Sequence, residues 1–393
     1  MVEVTAPAPL HEDLVQRSIR AFAAALFVTL CVSGPLLYFA VPHHKSLSSV
    51  AIPQCSLATL LDGTWATSLE RHLREASPLT YHVRGIYCEN LYALGWLDSR
   101  RIHQGKHGWM FLADELEFPT ERFRADGPTR RATYRTLQEQ LAKLGVATLA
   151  VVLPDKTRLY RSQLSDGTRF PLEREALSTT LTAELREAGF AVLELYPVFE
   201  ELLRNSPGES LWYLRDSHWR GAGITHAALA IRAELERLGW IARLGPREVL
   251  LPLTSTAEGF PGDMVQILGI RTESTFGHSL AERRDGFALA LPGGQGTLGR
   301  LQPNAPWALA GTSFAREGLD SLLPMAELSR SGSTWRIDSG SVHAAWLPIR
   351  CLIDARDRIV RGEIRPKVLI WEVPERLEVE ESWSEIQRSL VSR

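Results

Sequence analysis

Short apolar runs alternate with segments of helical periodicity from residue 101 onward. Apolar residues spaced three and four apart predict amphipathic helices, and short, uniformly apolar runs predict buried strands. A glycine-punctuated turn into a strand is predicted at residues 105–112. Further strands are predicted at residues 146–153, 190–195, 307–310 and 366–373, and a short extended piece at 211–214. Helices are predicted around residues 137–144, 177–185, 197–203, 224–238 and 316–328, with Gly145, Gly189 and Gly239 closing the first, second and fourth.

This alternation predicts an α/β fold. Uniformly apolar strands separated by helices are typical of a mostly parallel sheet with helices on both faces. Residues 240–300 are rich in glycine and proline and are predicted to form loops with short strands. In such folds chemistry gathers beyond the carboxyl ends of the strands, so polar residues that follow predicted strands are the first functional candidates.

The N-terminal residues do not show the alternation of strands and helices that is predicted for the rest of the chain. Residues 21–42 carry no charge and are long enough to cross a bilayer. Arg17 and Arg20 precede this run, which predicts that residues 1–20 are cytoplasmic and that the body lies outside the cytoplasm. A cleaved signal peptide is the alternative, but it usually has a shorter apolar core and a small-residue cleavage site. We therefore predict an uncleaved transmembrane signal anchor.

Between the anchor and the α/β region, residues 43–100 are predicted to be a stalk or docking segment. Apolar residues recur at helical spacing from residue 57 to residue 73 and predict one amphipathic helix there. The remaining residues, 101–393, are predicted to form a single domain.

Composition narrows the classes of partner. The chain has 44 basic and 46 acidic residues, a balance that does not indicate a nucleic-acid partner. Most of its 11 tryptophans are expected in the core, although an exposed indole also stacks on sugar faces. Cys31 lies in the apolar N-terminal run, and Cys351 is expected to be free. Cys55 and Cys88 are either one loop-closing disulfide or two ordinary thiols, and no zinc-type spacing is present.

The candidate chemistry begins with Asp216 and His218, two residues apart between bulky aromatics. A carboxylate beside an imidazole can orient it as a general base for a nucleophile. In the alternative interpretation, Asp216 caps the helix that follows and His218 is an ordinary core residue. A metal site that includes His226 is a third, weaker interpretation, because His226 is expected to face away from the loop.

Ser313 is the candidate nucleophile. It follows a predicted strand and Gly311, which permits a sharp turn, and it precedes a predicted helix. The alternative is that Ser313 or Thr312 only caps that helix. The pattern GxSxG is absent, so the site is not the nucleophile elbow of an α/β-hydrolase.

Five further residues lie in loops or directly after predicted strands and are candidates for binding an oxyanion or for forming the rim of the site. They are Gly311, Thr312, Gly262, Asp263 and Lys156. Lys156 follows a predicted strand and either steers an anionic substrate or is a solvated surface charge. Gly262 and Asp263 lie in a loop that either approaches the serine or is a plain turn.

The combination of these motifs resembles the SGNH-hydrolase-like domain of the alginate O-acetyltransferases, which modify bacterial exopolysaccharides in the periplasm. The resemblance covers residues ~100–380 and depends on the order and spacing of short motifs. The motifs are Gly105-Lys-His-Gly-Trp-Met-Phe-Leu, Leu153-Pro-Asp-Lys, Asp216-Ser-His-Trp, Gly262-Asp, Gly311-Thr-Ser-Phe and Ile370-Trp-Glu-Val-Pro-Glu-Arg.

The resemblance implies that Ser313 is the nucleophile, His218 the base and Asp216 the orienting acid. It also implies structural roles for Trp371 and Arg376. An anchor without a carbohydrate-binding module is similar to the shorter, inner-membrane members of the family. The implied function is periplasmic transfer of acetyl groups to an exopolysaccharide, without cofactor or metal, from a membrane-bound O-acyltransferase. An acetylesterase with the same three residues and a non-catalytic polysaccharide-binding or assembly protein are the alternatives.

Overall fold

The computed structural model describes residues 55–76, 78–97, 99–117, 119–240, 259–283, 307–316, 336–337, 348–376 and 382–391. The predicted cytoplasmic tail and signal anchor, residues 1–42, lie outside this range. Within it, no helix has the length and apolar character needed to span a membrane.

The first of two compact units contains residues 55–97 together with 269–271. Its helices are α1 (Leu57–Leu61), α2 (Thr64–Ala76) and α3 (Pro78–Ala93). The single helix predicted over residues 57–73 is wrong: it is interrupted at Gly63, whose φ of +76° is a left-handed conformation that breaks the helix. Cys55 is exposed and Cys88 is buried, and both are free thiols, so the disulfide alternative is not formed in this structure.

The second unit begins at residue 98. Its strands in chain order are β1 (Ile102–Gln104), β2 (Met110–Leu112), β3 (Ala147–Leu153), β4 (Ala191–Glu194), β5 (Gly259–Phe260), β6 (Glu282–Arg283), β7 (Trp307–Ala310), β8 (Arg336–Ile337) and β9 (Val368–Pro374). Its helices are α4 (Thr120–Lys143), α5 (Lys156–Leu159), α6 (Leu172–Glu187), α7 (Leu195–Asn205), α8 (Gly221–Arg237), α9 (Asp263–Ile267), α10 (Thr275–Ser279), α11 (Ser313–Arg316), α12 (Pro348–Val360) and α13 (Trp383–Val391).

The principal sheet has five strands in the order β4-β3-β9-β7-β8, and every pairing in it is parallel. This confirms the predicted parallel α/β sheet. The strand β9 lies at the centre and is buried along its whole length, which is why it appears in the sequence as an apolar run. Two small antiparallel pairs, β1-β2 and β5-β6, stand outside this sheet.

Helices cover both faces of the sheet, as predicted. On one face, α7 and α8 contribute the apolar side chains Leu195, Phe199, Ile224, Ile231 and Leu235 to a core with Val368 and Ile370 of β9. On the other face, α4, α6, α12 and α13 pack against Leu369 and Trp371 of the same strand. The period of two along β9 therefore divides its side chains between the two cores.

Several element predictions differ from the structure. The short extended piece predicted at residues 211–214 contains Trp212, which forms an isolated antiparallel bridge with Trp219 rather than part of a strand. The helix predicted to begin at residue 316 instead begins at Ser313, and residues 317–328 lie outside the described range. The sequence analysis did not predict α3, β8, α12 or α13, and it assigned only loops and short strands to residues 240–300, where α9 and α10 lie. For α12, the helical spacing of Ile349, Leu352 and Ile353 was a usable signal.

Candidate active site

Asp216 and His218 lie on a loop that closes between two buried tryptophans. Trp212 and Trp219 pair as an antiparallel bridge, and the Tyr213 N–H donates to the carbonyl oxygen of His218 at 3.3 Å. Both indoles are almost fully buried, at 0% and 5% exposure. The aromatic residues that flank the Asp-x-His motif thus fix the ends of the loop by burial and backbone pairing.

The capping interpretation of Asp216 is wrong. The helix that follows, α8, begins at Gly221, and its N-cap residue is Arg220, so Asp216 lies upstream of the cap. The Asp216 carboxylate instead accepts the backbone N–H of His218 at 2.9 Å and contacts its imidazole.

The side chains of Asp216, His218 and Ser313 form a continuous chain of contacts. His218 Nδ1 lies 2.7 Å from Asp216 Oδ1, and His218 Nε2 lies 2.9 Å from Ser313 Oγ. With the proton on Nδ1, Nε2 is free to accept the serine proton. The structure therefore brings together the three residues that the sequence singled out, in the order that activation of a serine nucleophile requires.

The charge of Asp216 is held by its neighbours. Burial opposes its ionisation, but hydrogen bonds and charge from His218 and the backbone N–H of Asp263 outweigh burial and lower the Asp216 pKa to about 2. The carboxylate is thus ionised over the whole neutral range. An ionised acid at Nδ1 stabilises the imidazolium that forms when His218 takes a proton.

Ser313 is the first residue of α11, directly after the turn that leaves β7. A Cβ at Gly311 would lie 2.5 Å from the Cβ of Ala315 and 2.7 Å from Glu372 Oε2, so only glycine fits the turn at this point. The Trp219 indole N–H donates to the carbonyl oxygen of Phe314 at 3.1 Å and links the histidine loop to the serine turn.

The backbone N–H and the hydroxyl of Thr312 are not available to bind an oxyanion, because both contact Glu372. Its backbone N–H donates to Glu372 Oε2 at 2.7 Å, and its hydroxyl lies 3.1 and 3.2 Å from the two oxygens of the same carboxylate. The Thr312 hydroxyl also accepts the N–H of Phe314 at 3.4 Å, as in the capping interpretation. Glu372, which the sequence analysis did not single out as a site residue, therefore lies directly beneath the serine turn.

Gly262 and Asp263 contact the histidine loop rather than the serine. Asp263 accepts the N–H of Ser217 at 2.7 Å and the Ser217 hydroxyl at 2.5 Å, while its own N–H donates to Asp216 Oδ2 at 2.7 Å. Gly262 has a φ of +81°, and a Cβ there would lie 2.3 Å from the carbonyl oxygen of Arg215. The plain-turn interpretation is incomplete, because this turn clamps the loop that carries Asp216.

A second carboxylate thus faces the same imidazole nitrogen. Asp263 Oδ2 lies 3.7 Å from His218 Nδ1. Burial, followed by the neighbouring Asp216 carboxylate, raises the Asp263 pKa. The pKa values of the two acids are therefore shifted in opposite directions, that of Asp216 downward and that of Asp263 upward.

These three side chains, Asp216, His218 and Asp263, also meet the geometric condition for a metal site, because each offers a ligand atom within 4.8 Å of the others. The bonds of Asp216 to His218 and to the backbone N–H of Asp263, of the Asp263 carboxylate to Ser217, and of His218 to Ser313 account for the arrangement without an ion. His226 lies elsewhere on α8, with Nε2 3.8 Å from Glu209 Oε1.

Both interpretations of Lys156 are wrong. The side chain is neither on the rim nor solvated, since the residue is only 1% exposed. Its ammonium donates to the carbonyl oxygens of Met110, Leu214 and Asp216 at 2.7, 2.9 and 3.1 Å. Burial lowers the Lys156 pKa to about 8. Lys156 thus ties the loop that carries Asp216 to strand β2, because one buried ammonium donates to carbonyl oxygens of both.

We expect Lys156→Met to destabilise the protein by at least about 3 kcal/mol, because three buried carbonyl oxygens would lose a charged donor. Chemical denaturation would measure the change in the free energy of unfolding. Lys106→Met is the matched control: the Lys106 ammonium pairs with Asp166 at 2.8 Å but is 41% exposed, so its loss should change stability by no more than about 0.5 kcal/mol. Equal stabilities of the two variants would contradict the supporting role of Lys156.

A buried network of charges extends the site along the strand ends. Arg174 pairs with Asp155 at 2.5 Å, and the Asp155 carboxylate accepts the N–H of Arg376 at 3.1 Å. The Arg376 guanidinium pairs with Glu115 at 2.9 Å. Trp371 donates its indole N–H to a backbone carbonyl at 2.8 Å on the far side of the sheet. Arg376 and Trp371 thus make the structural contacts that the resemblance implies.

The fold and these contacts are those of an SGNH-hydrolase-like protein with a serine–histidine–aspartate site. Comparison with known families gives a match over residues 102–375 to the family described as "SGNH hydrolase-like domain, acetyltransferase AlgX". Because this match covers well over half of the chain, the protein belongs to that family.

Full-length relatives agree with this assignment. The chain is 25% identical over 378 residues to a probable alginate O-acetylase AlgJ of Pseudomonas aeruginosa, a match that covers 89% of this chain and 91% of the relative. It is 22% identical over 330 residues to a protein of the same name from Azotobacter vinelandii, covering 81% and 80% of the two chains.

Two solved structures share the fold. The O-acetyltransferase domain of Pseudomonas putida AlgJ aligns with a TM-score of 0.56 and 17% identity, covering 73% of this chain and 99% of that domain. AlgX of Pseudomonas aeruginosa aligns with a TM-score of 0.51 and 20% identity, covering 72% of this chain and 62% of that structure. At these identities, the similarity establishes the fold.

Proposed function

We propose that this protein is an O-acetyltransferase that moves acetyl groups to the hydroxyls of an exopolysaccharide through an acetyl-serine intermediate. The observation that carries the proposal is the contact of His218 Nε2 with Ser313 Oγ at 2.9 Å, with Asp216 on the other ring nitrogen at 2.7 Å. Membership of an acetyltransferase family and similarity to proteins named as probable alginate O-acetylases support the acetyl group and the polysaccharide acceptor.

In the first half-reaction, Ser313 Oγ attacks the acetyl carbonyl while His218 Nε2 accepts the serine proton. The proton then passes to the departing donor group as its bond to the acetyl carbon breaks. The ionised Asp216 carboxylate stabilises the imidazolium between these transfers. The backbone N–H of Ser313 and neighbouring loop donors other than Thr312 hold the oxyanion, since the Thr312 N–H is bonded to Glu372.

In the second half-reaction, a sugar hydroxyl gives its proton to His218 Nε2 and attacks the acetyl-serine carbonyl. The bond to Ser313 Oγ breaks, and the serine recovers its proton from the imidazolium. Neither half-reaction changes an oxidation state, and the chain's own side chains carry out every proton transfer.

The proposed setting is the periplasmic side of the inner membrane, with residues 21–42 as a single-pass anchor, residues 43–100 as a stalk or docking segment and residues 101–393 as the catalytic domain. The uncharged N-terminal run and the preceding arginines support this topology. Because acetyl-CoA is cytoplasmic, the donor would be a membrane-bound O-acyltransferase that delivers acetyl groups across the membrane.

Intact-mass spectrometry of the full-length protein in detergent, mixed with p-nitrophenyl acetate, tests the proposal. We expect one acetyl group on the wild type and none on folded Ser313→Ala. Added alginate or cellulose oligosaccharides should then remove the acetyl group from the protein and carry it as an ester. Transfer only to water would favour an acetylesterase, and an adduct that persists in Ser313→Ala would contradict the assignment of the nucleophile.

A further inference from the structure

Glu372 places a carboxylate in an apolar core. It lies on the face of β9 that also carries Val368 and Ile370, and it is 4% exposed. It lines a small cavity whose other lining residues are apolar: Val151, Leu309 and Ile370 of the sheet, Trp219, Ile231 of α8, and Phe314 with Ala315 of α11. Burying a carboxylate in such surroundings is unfavourable unless specific hydrogen bonds compensate for lost hydration.

The compensating bonds all come from the turn around Ser313. Glu372 Oε2 accepts the Thr312 N–H at 2.7 Å, and the Thr312 hydroxyl lies within 3.2 Å of both carboxylate oxygens. The backbone N–H of Ala315 also lowers the pKa of this carboxylate and so favours its ionised form. The hydrogen-bond donors themselves belong to Thr312, the residue before Ser313.

The approach of the carboxylate to the turn depends on Gly311. A Cβ there would lie 2.7 Å from Glu372 Oε2 and 3.2 Å from Glu372 Cβ. Any larger residue would push the turn away from β9, and with it Ser313. The glycine and the glutamate therefore act together to set the path of the chain into α11.

Charged groups near Glu372 are few among the described residues. Arg376, two residues beyond the end of β9, favours its ionisation, while Arg376 itself is paired with Glu115. Burial nevertheless raises the Glu372 pKa to about 7, against the opposing hydrogen bonds from Thr312 and the opposing effect of the Ala315 N–H. No substrate-facing role is needed to explain these contacts.

We propose that Glu372 is a positioning residue for acyl transfer, whose side chain holds the Gly311–Thr312 turn so that Ser313 Oγ meets His218 Nε2. This inference rests on the proposed function and adds a residue to it. It assigns the bond between Thr312 and Glu372 a catalytic consequence, because a displacement of about 1 Å in a nucleophile can lower a rate by about 100-fold.

The test compares Glu372→Leu with Glu372→Gln in the full-length protein. Leucine matches the apolar surroundings but leaves the buried Thr312 N–H without an acceptor. We therefore expect a lower Tm and, in the folded protein below Tm, a rate of Ser313 acetylation by p-nitrophenyl acetate that falls by about 100-fold. Glutamine still offers an oxygen to the Thr312 N–H, so its rate should remain within about tenfold of wild type. A merely structural role would lower Tm but leave the acetylation rate of the folded protein unchanged.

Two further measurements connect the effect to the turn. The Thr312 amide should exchange its hydrogen at least about tenfold faster in Glu372→Leu than in Glu372→Gln. In a double-mutant cycle on the acetylation rate, Thr312→Val and Glu372→Gln should be non-additive. Glu375→Gln is the control, because that buried carboxylate pairs with Arg158 rather than with the turn; it should leave the acetylation rate within about threefold of the wild-type rate.

The readouts separate this inference from the proposed function. Wild-type protein that forms no acetyl-serine would contradict the proposed function. Thr312 exchange that is the same in wild type and Glu372→Leu would overturn the positioning role whatever the chemistry. A Glu372→Leu variant that acetylates at the wild-type rate would overturn it as well.

Discussion

Replacing His218 by alanine is expected to lower the rate of Ser313 acetylation by about 10⁶-fold, the loss found when the base of a serine triad is removed. A serine hydroxyl at neutral pH is a weak nucleophile until a base accepts its proton. His218 Nε2, 2.9 Å from Ser313 Oγ, is the group the structure offers for that step. Single-turnover release of p-nitrophenolate from p-nitrophenyl acetate would measure the rate.

His226→Ala is the control for this prediction. His226 lies on α8, eight residues from His218, and its side chain faces Glu209 rather than the serine. The control should acetylate at a rate close to that of wild type, and both variants should retain the wild-type circular dichroism spectrum. If His218→Ala reacted within tenfold of the wild-type rate, the assignment of the base would be wrong.

Asp216→Asn is expected to lower the same rate by about 10⁴-fold while leaving the fold in place, as loss of the orienting carboxylate does in a serine triad. An amide at this position can donate to His218 Nδ1 and so favour the tautomer whose Nε2 carries a proton and cannot accept another. It also removes the negative charge that stabilises the imidazolium. Asp263→Asn should lower the acetylation rate much less, by about tenfold. Asp263 Oδ2 is 3.7 Å from His218 Nδ1, and the hydrogen bonds of the Asp263 carboxylate are with Ser217.

The pH dependence of stability offers a second measurement on Asp216. Its folded-state pKa, about 2, is below the ordinary value of 3.8. The stabilisation from its ionised form is therefore fully present above pH 3.8 and is lost as the pH falls through about 2. Unfolding free energies measured from pH 5 downward should show a contribution in the wild type that Asp216→Asn lacks. Equal slopes in the two proteins, or rates of acetylation equal to those of wild type, would contradict the role of Asp216.

Much of the fold could be predicted from the sequence because a parallel sheet buries both faces of its strands. The strands β3, β7 and β9 are therefore mostly apolar, Glu372 of β9 being the one charged residue in them, and they stand out against the helical spacing between them. Strand β8 did not stand out, since only Arg336 and Ile337 belong to it. The break at Gly63 was also missed, because helical spacing continues across a glycine whether or not the helix does.

The candidate site could be predicted only in part. Ser313 and the Asp216–His218 pair were identified because polar residues directly after a strand, or between buried aromatics, conflict with the local apolar pattern. Lys156 was identified for the same reason and misassigned, since a lysine in sequence gives no sign of whether a protein interior supplies carbonyls to receive it. Glu372 was overlooked as a site residue because it lies within an apolar strand motif whose role looked structural.

The sequence by itself determined the parallel α/β class, the positions of the principal strands and the identity of the three residues at the centre of the site. These depend on local periodicity and on residue type. Only the tertiary structure decided which side chains meet across the chain: His218 with Ser313 over 95 residues, Thr312 with Glu372 over 60 and Asp216 with Asp263 over 47. Such contacts depend on the order of strands in the sheet and on close steric fit at Gly262 and Gly311, and no local pattern encodes either.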